Sequence, residues 1–183
     1  MKNNFDFDIN KINNLTNSEK SFRQESLNLF LKNGFPDKKI EEWKFTDLNK
    51  ILNKNFKKIS NNINFNKISK FEKLKNFQHN YIVLTNGILT SSNFHHEDTK
   101  KISINKYVDE EKRTLDSINS LSLLNDALSV GGYSLEVAKN YKFKRPLIIY
   151  NTFSNDLTYS ILNNKNKIKL NEGAQLILIE YTS

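Results

Sequence analysis

The sequence has 183 residues, which suits one sizeable domain or two small ones, and its 37% hydrophobic and 11% aromatic content argues against a chain that is disordered throughout. Its net charge of +8 suggests a polyanionic partner, but only Arg23, Arg113 and Arg145 among the 28 basic residues are the arginines that nucleic-acid recognition favours, so nucleic-acid binding is not predicted. Because the chain contains no cysteine, it can form no disulfide and offers no thiolate to a metal.

The beginning of the sequence does not predict a targeting signal. The stretch Met1–Asn10 is polar and contains Asp6 and Asp8, unlike the apolar centre of a secretory signal. No part of the sequence holds the run of about 20 apolar residues that spans a bilayer. The expected location is therefore the cytoplasm, with no membrane partner.

The first predicted element is a helix over residues 17–33. Thr16 is placed to cap it, and Glu19 can reach back to the amide of the cap. Gly34 and Pro36 are expected to end it. The apolar stripe of this helix consists of Phe22, Leu27, Phe30 and Leu31.

A second, shorter helix is predicted from Asp47 to about Phe56, with Thr46 as its cap. Its apolar residues recur at helical spacing and are Leu48, Ile51, Leu52 and Phe56. Its other side carries Lys50, Lys54, Lys57 and Lys58. Such lysines are typical of a solvent-exposed face, and the alternative is a helix that lies on an anionic surface.

A long connection and a hairpin follow the helices. Residues 59–78 are rich in Asn, Lys and Ser without a sustained period, which predicts a connection. The apolar runs 81–85 and 88–90 flank Asn86-Gly87, a dipeptide that accepts positive φ at both central positions of a type I′ turn. The sequence therefore predicts a β-hairpin with its turn at these two residues.

Short strands dominate the second half of the sequence. A strand is predicted over 101–105. A helix follows that ends at Gly131-Gly132 and is marked by the pattern Leu121, Leu124, Ala127 and Leu128. Five β-runs then follow, at 133–138, 146–150, 158–162, 167–170 and 175–181. Their spacing suits an antiparallel sandwich or the coils of a parallel β-helix, and periodicity alone does not choose between them.

The last run is nearly continuously apolar, as a strand covered on both faces would be. The sequence ends two residues after Tyr181, which would leave the edge of such a strand unpaired. We therefore expect the chain to be the beginning of a longer protein.

No group of residues predicts a catalytic, cofactor-binding or metal site. His95-His96-Glu97-Asp98 is the densest set of possible metal ligands, but without a third ligand at a suitable spacing it favours a polar surface loop. His79 has no nucleophile motif near it, which favours a structural or solvent-exposed role. Gly131-Gly132 lacks the Lys-Ser/Thr pair of a phosphate-binding loop, so ATP hydrolysis is not expected. Two acidic groups, 41–42 and 109–111, favour salt-linked surface over a catalytic pair.

The segment from Gly34 to Leu48 reads Gly-Phe-Pro-Asp-Lys-Lys-Ile-Glu-Glu-Trp-Lys-Phe-Thr-Asp-Leu. It resembles the N-terminal signature of the SufD family, in which a helix ends in Gly-Leu-Pro and a basic stretch leads to Glu-x-Trp-Lys-Tyr-Thr-x-Leu. Phe45 stands where the signature has Tyr, and Phe35 where it has Leu. SufB, the sibling subunit, resembles the segment less because a different helical pattern follows its Glu-Trp. Further matches to the SufD family in the same order are the hairpin, the stretches 124–128 and 145–149, and the stretches 171–175 and 179–181.

This resemblance implies an α+β chain in which a helical N-terminal region precedes the first coils of a right-handed parallel β-helix. The expected divisions are 1–78 for the helical region and connection, 79–132 for the hairpin and helix, and 133–183 for the start of the β-helix. The resemblance also implies a scaffold subunit, not an enzyme, that acts with SufB and the ATPase SufC. The iron–sulfur cluster would be handled by the whole complex, with no cofactor in this fragment.

The resemblance assigns no functional residue to this chain, because the positions implicated in assembly and ATPase binding lie beyond Ser183. Trp43 is interpreted as an aromatic packing anchor. A parallel β-helix enzyme acting on carbohydrate is the alternative function. That alternative would require a set of charged residues along one β-helix face, which this stretch lacks.

Overall fold

The structure is a computed structural model that describes residues 5–13, 15–60, 71–108 and 119–182. The helices in these residues are α1 (Asn17–Asn33), α2 (Leu48–Asn55) and α3 (Ser120–Leu128). The strands are β1 (Lys58–Ser60), β2 (Asn80–Thr85), β3 (Ile88–Asn93), β4 (Ile102–Lys106), β5 (Gly132–Val137), β6 (Leu147–Thr152), β7 (Ser160–Leu162), β8 (Lys165–Leu170) and β9 (Leu178–Thr182). No helix among these residues is long and apolar enough to cross a bilayer.

The chain divides into two compact units, each assembled from separate stretches. Unit 1 takes its described residues from Met1–Ile63, Glu110–Val130 and Leu157–Asn163, and it contains the three helices with β1 and β7. Unit 2 takes its described residues from Asn64–Asp109, Gly131–Asp156 and Asn164–Ser183, and it contains the remaining strands. This grouping differs from the three consecutive ranges expected from the sequence, because α3 packs with α1 across a large sequence separation.

Helix α1 has the predicted bounds and the predicted capping box. The Glu19 backbone N–H donates to Thr16 Oγ1 over 3.2 Å, and the Thr16 backbone N–H donates to a Glu19 carboxylate oxygen over 2.8 Å. At the other end, Gly34 has a φ of +71° and its N–H donates to the Phe30 carbonyl. Both ends of α1 are therefore fixed by local hydrogen bonds, which is why the sequence located them.

Helix α2 begins one residue later than predicted, and Asp47, not Thr46, is its cap. Asp47 Oδ1 accepts a hydrogen bond of 3.0 Å from the Lys50 backbone N–H. A carboxylate is a good cap acceptor and also interacts favourably with the helix dipole. Lys50 and Lys54 are exposed, as a solvated face requires.

The core of unit 1 lies between α1 and α3. Leu27 and Phe30 of α1 are buried, and so are Leu124 and Leu128 of α3. Further buried members of this cluster are Phe5, Ile9, Phe35, Ile59, Leu123 and Ala127. Arg23 also joins the two helices, because its Nη1 donates to the carbonyls of Ala127 (3.0 Å) and Ser129 (2.8 Å) at the end of α3.

The first residues of the predicted connection over 59–78 belong to strand β1. Strand β1 pairs in parallel with β7, with Ile59 opposite Ile161. Residues 61–70 of the predicted connection lie outside the described residues. The sequence missed β1 because a three-residue strand gains its hydrogen bonds from a partner about a hundred residues away, with no local pattern.

Unit 2 is built on a mixed sheet with the strand order β4-β5-β3-β2-β6-β9, and β8 pairs with β5. The predicted hairpin β2–β3 is confirmed, with φ values of 51° at Asn86 and 79° at Gly87. The Asn86 side chain also donates to Ser154 Oγ over 2.8 Å and accepts from the Ser154 backbone N–H over 2.9 Å. The turn therefore contributes to the fold as well as reversing the chain.

Parallel pairings follow one another along the second half of unit 2. Strand β5 pairs with β8 (Gly132 opposite Lys165), and β6 pairs with β9 (Leu147 opposite Leu178). Between them, an isolated parallel bridge joins Lys142 to Gln175. Strand β9 starts later than the predicted run and is exposed along its length, with Leu178 at 41%. The observed class is α+β with a mixed sheet.

Gly131 and Gly132 do not end helix α3 as predicted. The helix ends at Leu128, and Ser129 follows in an extended conformation. Gly132 instead opens β5 with a φ of +122°, and a Cβ there would lie 1.6 Å from the Lys165 carbonyl oxygen. A Cβ at Gly131 would lie 2.5 Å from the Gly87 carbonyl oxygen. The two glycines thus allow close backbone approach, a tertiary demand that a sequence pattern does not show.

Candidate functional site

The predicted surface loop 95–98 contains a buried carboxylate. His95 and Asp98 are exposed, but Glu97 is only 9% exposed. Glu97 N–H closes a turn by donating to the Phe94 carbonyl over 2.9 Å. The expectation of a wholly polar surface loop is therefore wrong at Glu97.

The Glu97 carboxylate connects three parts of unit 2. It accepts hydrogen bonds from Asn80 Nδ2 and the Tyr141 hydroxyl, both over 2.8 Å. It also accepts from the backbone N–H groups of Lys144 and Arg145, over 3.1 Å in each case. The start of β2, the turn after β3 and the segment before β6 therefore meet at one side chain.

The protonation of Glu97 follows from these contacts. Burial is the largest single influence and raises the pKa of this carboxyl. The hydrogen bonds from Lys144 N–H, Asn80, Tyr141 and Arg145 N–H together outweigh it and hold the pKa below the ordinary value of 4.5. Glu97 is therefore ionised at neutral pH, and its lone pairs are used within the chain.

His95 and His96 lie side by side, with their ring centroids 3.7 Å apart. Asn93 Oδ1 accepts hydrogen bonds from the His95 backbone N–H over 2.8 Å and from His95 Nδ1–H over 2.6 Å. Desolvation, followed by the positive charges of His95, Arg145 and Lys73, lowers the pKa of His96. Across the described ranges, no group of three or more His, Asp or Glu side chains is arranged to hold a metal.

His79 is fully buried and hydrogen-bonded on both ring nitrogens. Its Nδ1–H donates to the Phe77 carbonyl over 2.6 Å, so Nε2 accepts from the Tyr150 hydroxyl over 2.8 Å. The Tyr150 oxygen in turn accepts from the Leu74 backbone N–H over 3.1 Å. Burial raises the pKa of Tyr150, which keeps its hydroxyl protonated. These contacts hold residues 74–79 in place, so of the two roles predicted for His79 the structure shows the structural one and not the solvent-exposed one.

Both carboxylates of the acidic pair 41–42 are exposed. Glu41 is ion-paired with Lys44. Glu42 is exposed and has no ion-pair partner among the residues that the structure describes. The other predicted acidic group, 109–111, lies outside those residues.

The segment 40–46 forms a hydrogen-bonded turn that displays aromatic side chains. Trp43 N–H donates to the Ile40 carbonyl and Thr46 N–H donates to the Trp43 carbonyl, both over 2.9 Å. Phe45 is 91% exposed, with Lys44 Nζ 5.1 Å from the centre of its ring. The predicted role of Trp43 as a packing anchor stays a prediction. Its side chain is half-buried and lies outside the described apolar clusters.

Trp43 lines a cavity of about 750 Å³ within unit 1. We call it the Trp43 groove, and its apolar lining is Phe35, Pro36, Ile40, Trp43 and Leu121. Asp37 and Glu42 contribute carboxylates to the same lining. The sequence did not predict this groove, because it brings the loop after α1 against the start of α3. The feature of the sequence that could have indicated this groove is the aromatic and acidic composition of residues 35–43.

Comparison with known proteins identifies a family for this region. Residues 9–98 match the family model described as the SufBD protein N-terminal region. The matched range includes α1, α2, the hairpin β2–β3 and Glu97. The match supports membership of the SufB/SufD family and a role in iron–sulfur cluster assembly by the Suf system, without distinguishing SufD from SufB. No curated protein matches the chain significantly.

Proposed function

We propose that this chain, with its SufBD-type region at residues 9–98, is the N-terminal part of a SufD-type scaffold subunit that acts in the cytoplasm. Its partners in this proposal are SufB and the ATPase SufC. The observation that carries the proposal is the match of residues 9–98 to the SufBD N-terminal family model. That range contains the whole signature segment from Gly34 to Leu48.

The signature favours SufD over SufB. Glu42 and Trp43 are followed by Lys44, Phe45 and Thr46, the order that resembles SufD. In the structure this order forms the turn 40–46 and leads into α2, which begins at Leu48. The SufD assignment rests on this segment.

A right-handed parallel β-helix is the proposed architecture of the second half. Successive parallel pairings support it, because Gly132 pairs with Lys165, Lys142 with Gln175, and Leu147 with Leu178. Each pairing joins residues 31 to 33 positions apart. A nearly constant offset is what stacked coils of one solenoid produce.

The proposed role is scaffolding, not catalysis. Two of the buried ionisable side chains in the described residues, Glu97 and His79, use their hydrogen-bonding capacity to hold backbone segments of unit 2. In the proposal, ATP hydrolysis belongs to SufC and the iron–sulfur cluster is handled by the complex as a whole. This chain contributes surface and rigidity.

Depletion of the protein in cells tests the assembly role. We expect the specific activity of an iron–sulfur dehydratase to fall while the amount of its polypeptide stays unchanged. Chemical reconstitution of the extract with iron and sulfide should restore that activity, because only cluster delivery is impaired. Unchanged activity after depletion would contradict the assembly role, provided that no second cluster-assembly system operates in the cells used.

A further inference from the structure

We infer that the Trp43 groove binds a basic segment with apolar residues, supplied by a partner protein. The inference depends only on the geometry of unit 1 and stands independently of the proposed scaffold role. Three features carry it: an apolar lining, carboxylates at that lining, and a rigid frame.

The lining offers apolar surface to a partner. Phe35 and Pro36 are buried beneath it, Trp43 is half-buried and Ile40 is 43% exposed. Covering partly exposed aromatic and aliphatic carbon contributes roughly 25 cal/mol per Å² of area removed from water. A partner with apolar side chains would therefore gain affinity here.

The frame of the groove is fixed before any partner arrives. Ser120 Oγ donates to the Gly34 carbonyl, which joins the start of α3 to the loop after α1. The hydrogen bonds that close the turn 40–46 hold Trp43 on the other side. A preorganised groove loses little conformational entropy on binding.

The charge of the groove is opposite to the charge of the chain. The chain carries a net charge of +8, but the described lining of the groove contains Asp37 and Glu42 and no Lys or Arg. Asp37 uses one carboxylate oxygen for the Lys39 backbone N–H, over 2.9 Å. Its second oxygen and the Glu42 carboxylate can both accept from a cationic side chain.

The side chain of an arginine or lysine can contact the apolar lining and the two carboxylates at the same time. Its aliphatic stem packs on apolar surface, and its charged end reaches the carboxylates. The face of an indole ring also attracts cations, and Trp is the strongest of the aromatic residues in this respect. An acidic segment would meet two like charges and is excluded by the same argument.

The intrinsic fluorescence of Trp43 provides the binding assay, because it is the only Trp in the sequence. The probe is an acetylated, amidated peptide of alternating leucine and arginine, and the matched probe has glutamate in place of arginine. We expect saturable change in the fluorescence of the full chain with the arginine peptide, weakened by added salt. No such change is expected with the glutamate peptide.

Charge-neutral variants locate the site. Glu42→Gln should weaken binding of the arginine peptide about tenfold, and Glu42→Gln with Asp37→Asn should abolish measurable binding. Asn at 37 can still accept from Lys39 N–H, so the loop is retained. The control is Glu41→Gln, which makes the same charge change on the same turn, but at a carboxylate that is paired with Lys44 and does not line the groove. Its affinity should equal that of the unchanged chain.

Three results would overturn the inference. Equal binding of the glutamate peptide would exclude a charge-selective site. Equal loss in Glu41→Gln and Glu42→Gln would show only a general effect of net charge. A fluorescence change on concentrating the chain alone, with dimer in sedimentation, would make a second copy the occupant.

Discussion

Removal of the Glu97 carboxylate tests whether one side chain holds the segments of unit 2 together. In Glu97→Ala, the donors of Asn80, Lys144 N–H and Arg145 N–H lose their acceptor. An unsatisfied buried donor costs about 1–3 kcal/mol, and water can reach part of this site, so we expect a total loss of about 3–5 kcal/mol. That is a large share of the roughly 5–15 kcal/mol that keeps a domain folded.

Urea denaturation followed by far-ultraviolet circular dichroism measures this loss as a lower midpoint with an unchanged slope. The control is Glu172→Ala, which removes an exposed carboxylate 2.5 Å from Lys139 Nζ and should cost less than about 1 kcal/mol. If Glu97→Ala cost no more than Glu172→Ala, the proposed connecting role of Glu97 would be wrong.

The same site predicts a pH dependence. The pKa of Glu97 in the folded chain lies below the ordinary value of 4.5, so the ionised carboxylate stabilises the fold at higher pH. This contribution is lost as pH falls through the folded-state pKa. The stability difference between the unchanged chain and Glu97→Gln should therefore be full at pH 7 and shrink below pH 4.5. A difference that stays constant with pH would contradict ionisation of Glu97 as its source.

Three further predictions follow from packing and composition. Gly132→Ala should lower the free energy of unfolding by more than about 2 kcal/mol, because its Cβ would meet the Lys165 carbonyl. Gly34 also has a positive φ, +71°, but a Cβ there has nothing within 4 Å, so Gly34→Ala should cost less. In the same assay, Trp43→Ala should lower the free energy of unfolding by less than about 1.5 kcal/mol, and Phe30→Ala should lower it by about 3–5 kcal/mol. The reason is that, of the two residues, only Phe30 belongs to the core of unit 1. With the isolated chain, anaerobic reconstitution should give no stoichiometric bound iron, and equilibrium dialysis should detect no bound ATP. Stoichiometric iron binding that disappears when His95 and His96 are both replaced would contradict this prediction.

Elements with local chemistry were predictable from the sequence. The capping box of Thr16 and Glu19, together with Gly34, specified α1 within residues that are neighbours in sequence. The Asn86-Gly87 dipeptide specified its hairpin in the same way. In each case the hydrogen bonds that fix the element join residues only a few positions apart.

Features that depend on distant partners were missed. Glu97 looks like part of a polar loop until Lys144 and Arg145 are brought against it by the fold. Gly132 looks like a helix stop until Lys165 is placed beside it. The groove beside Trp43 forms only when the loop after α1 is brought against Leu121 at the start of α3. Packing, not local pattern, decides all three.

The proposal made for this chain is that it functions in a complex with SufB and SufC. Its most direct test is affinity purification from cells in which an N-terminal tag is encoded at the native gene, followed by quantitative mass spectrometry of the eluted proteins. We predict recovery of SufB and SufC in fixed ratio to the tagged protein. Recovery of SufD and SufC would identify a SufB-type subunit instead, and recovery of no Suf protein would contradict the claim.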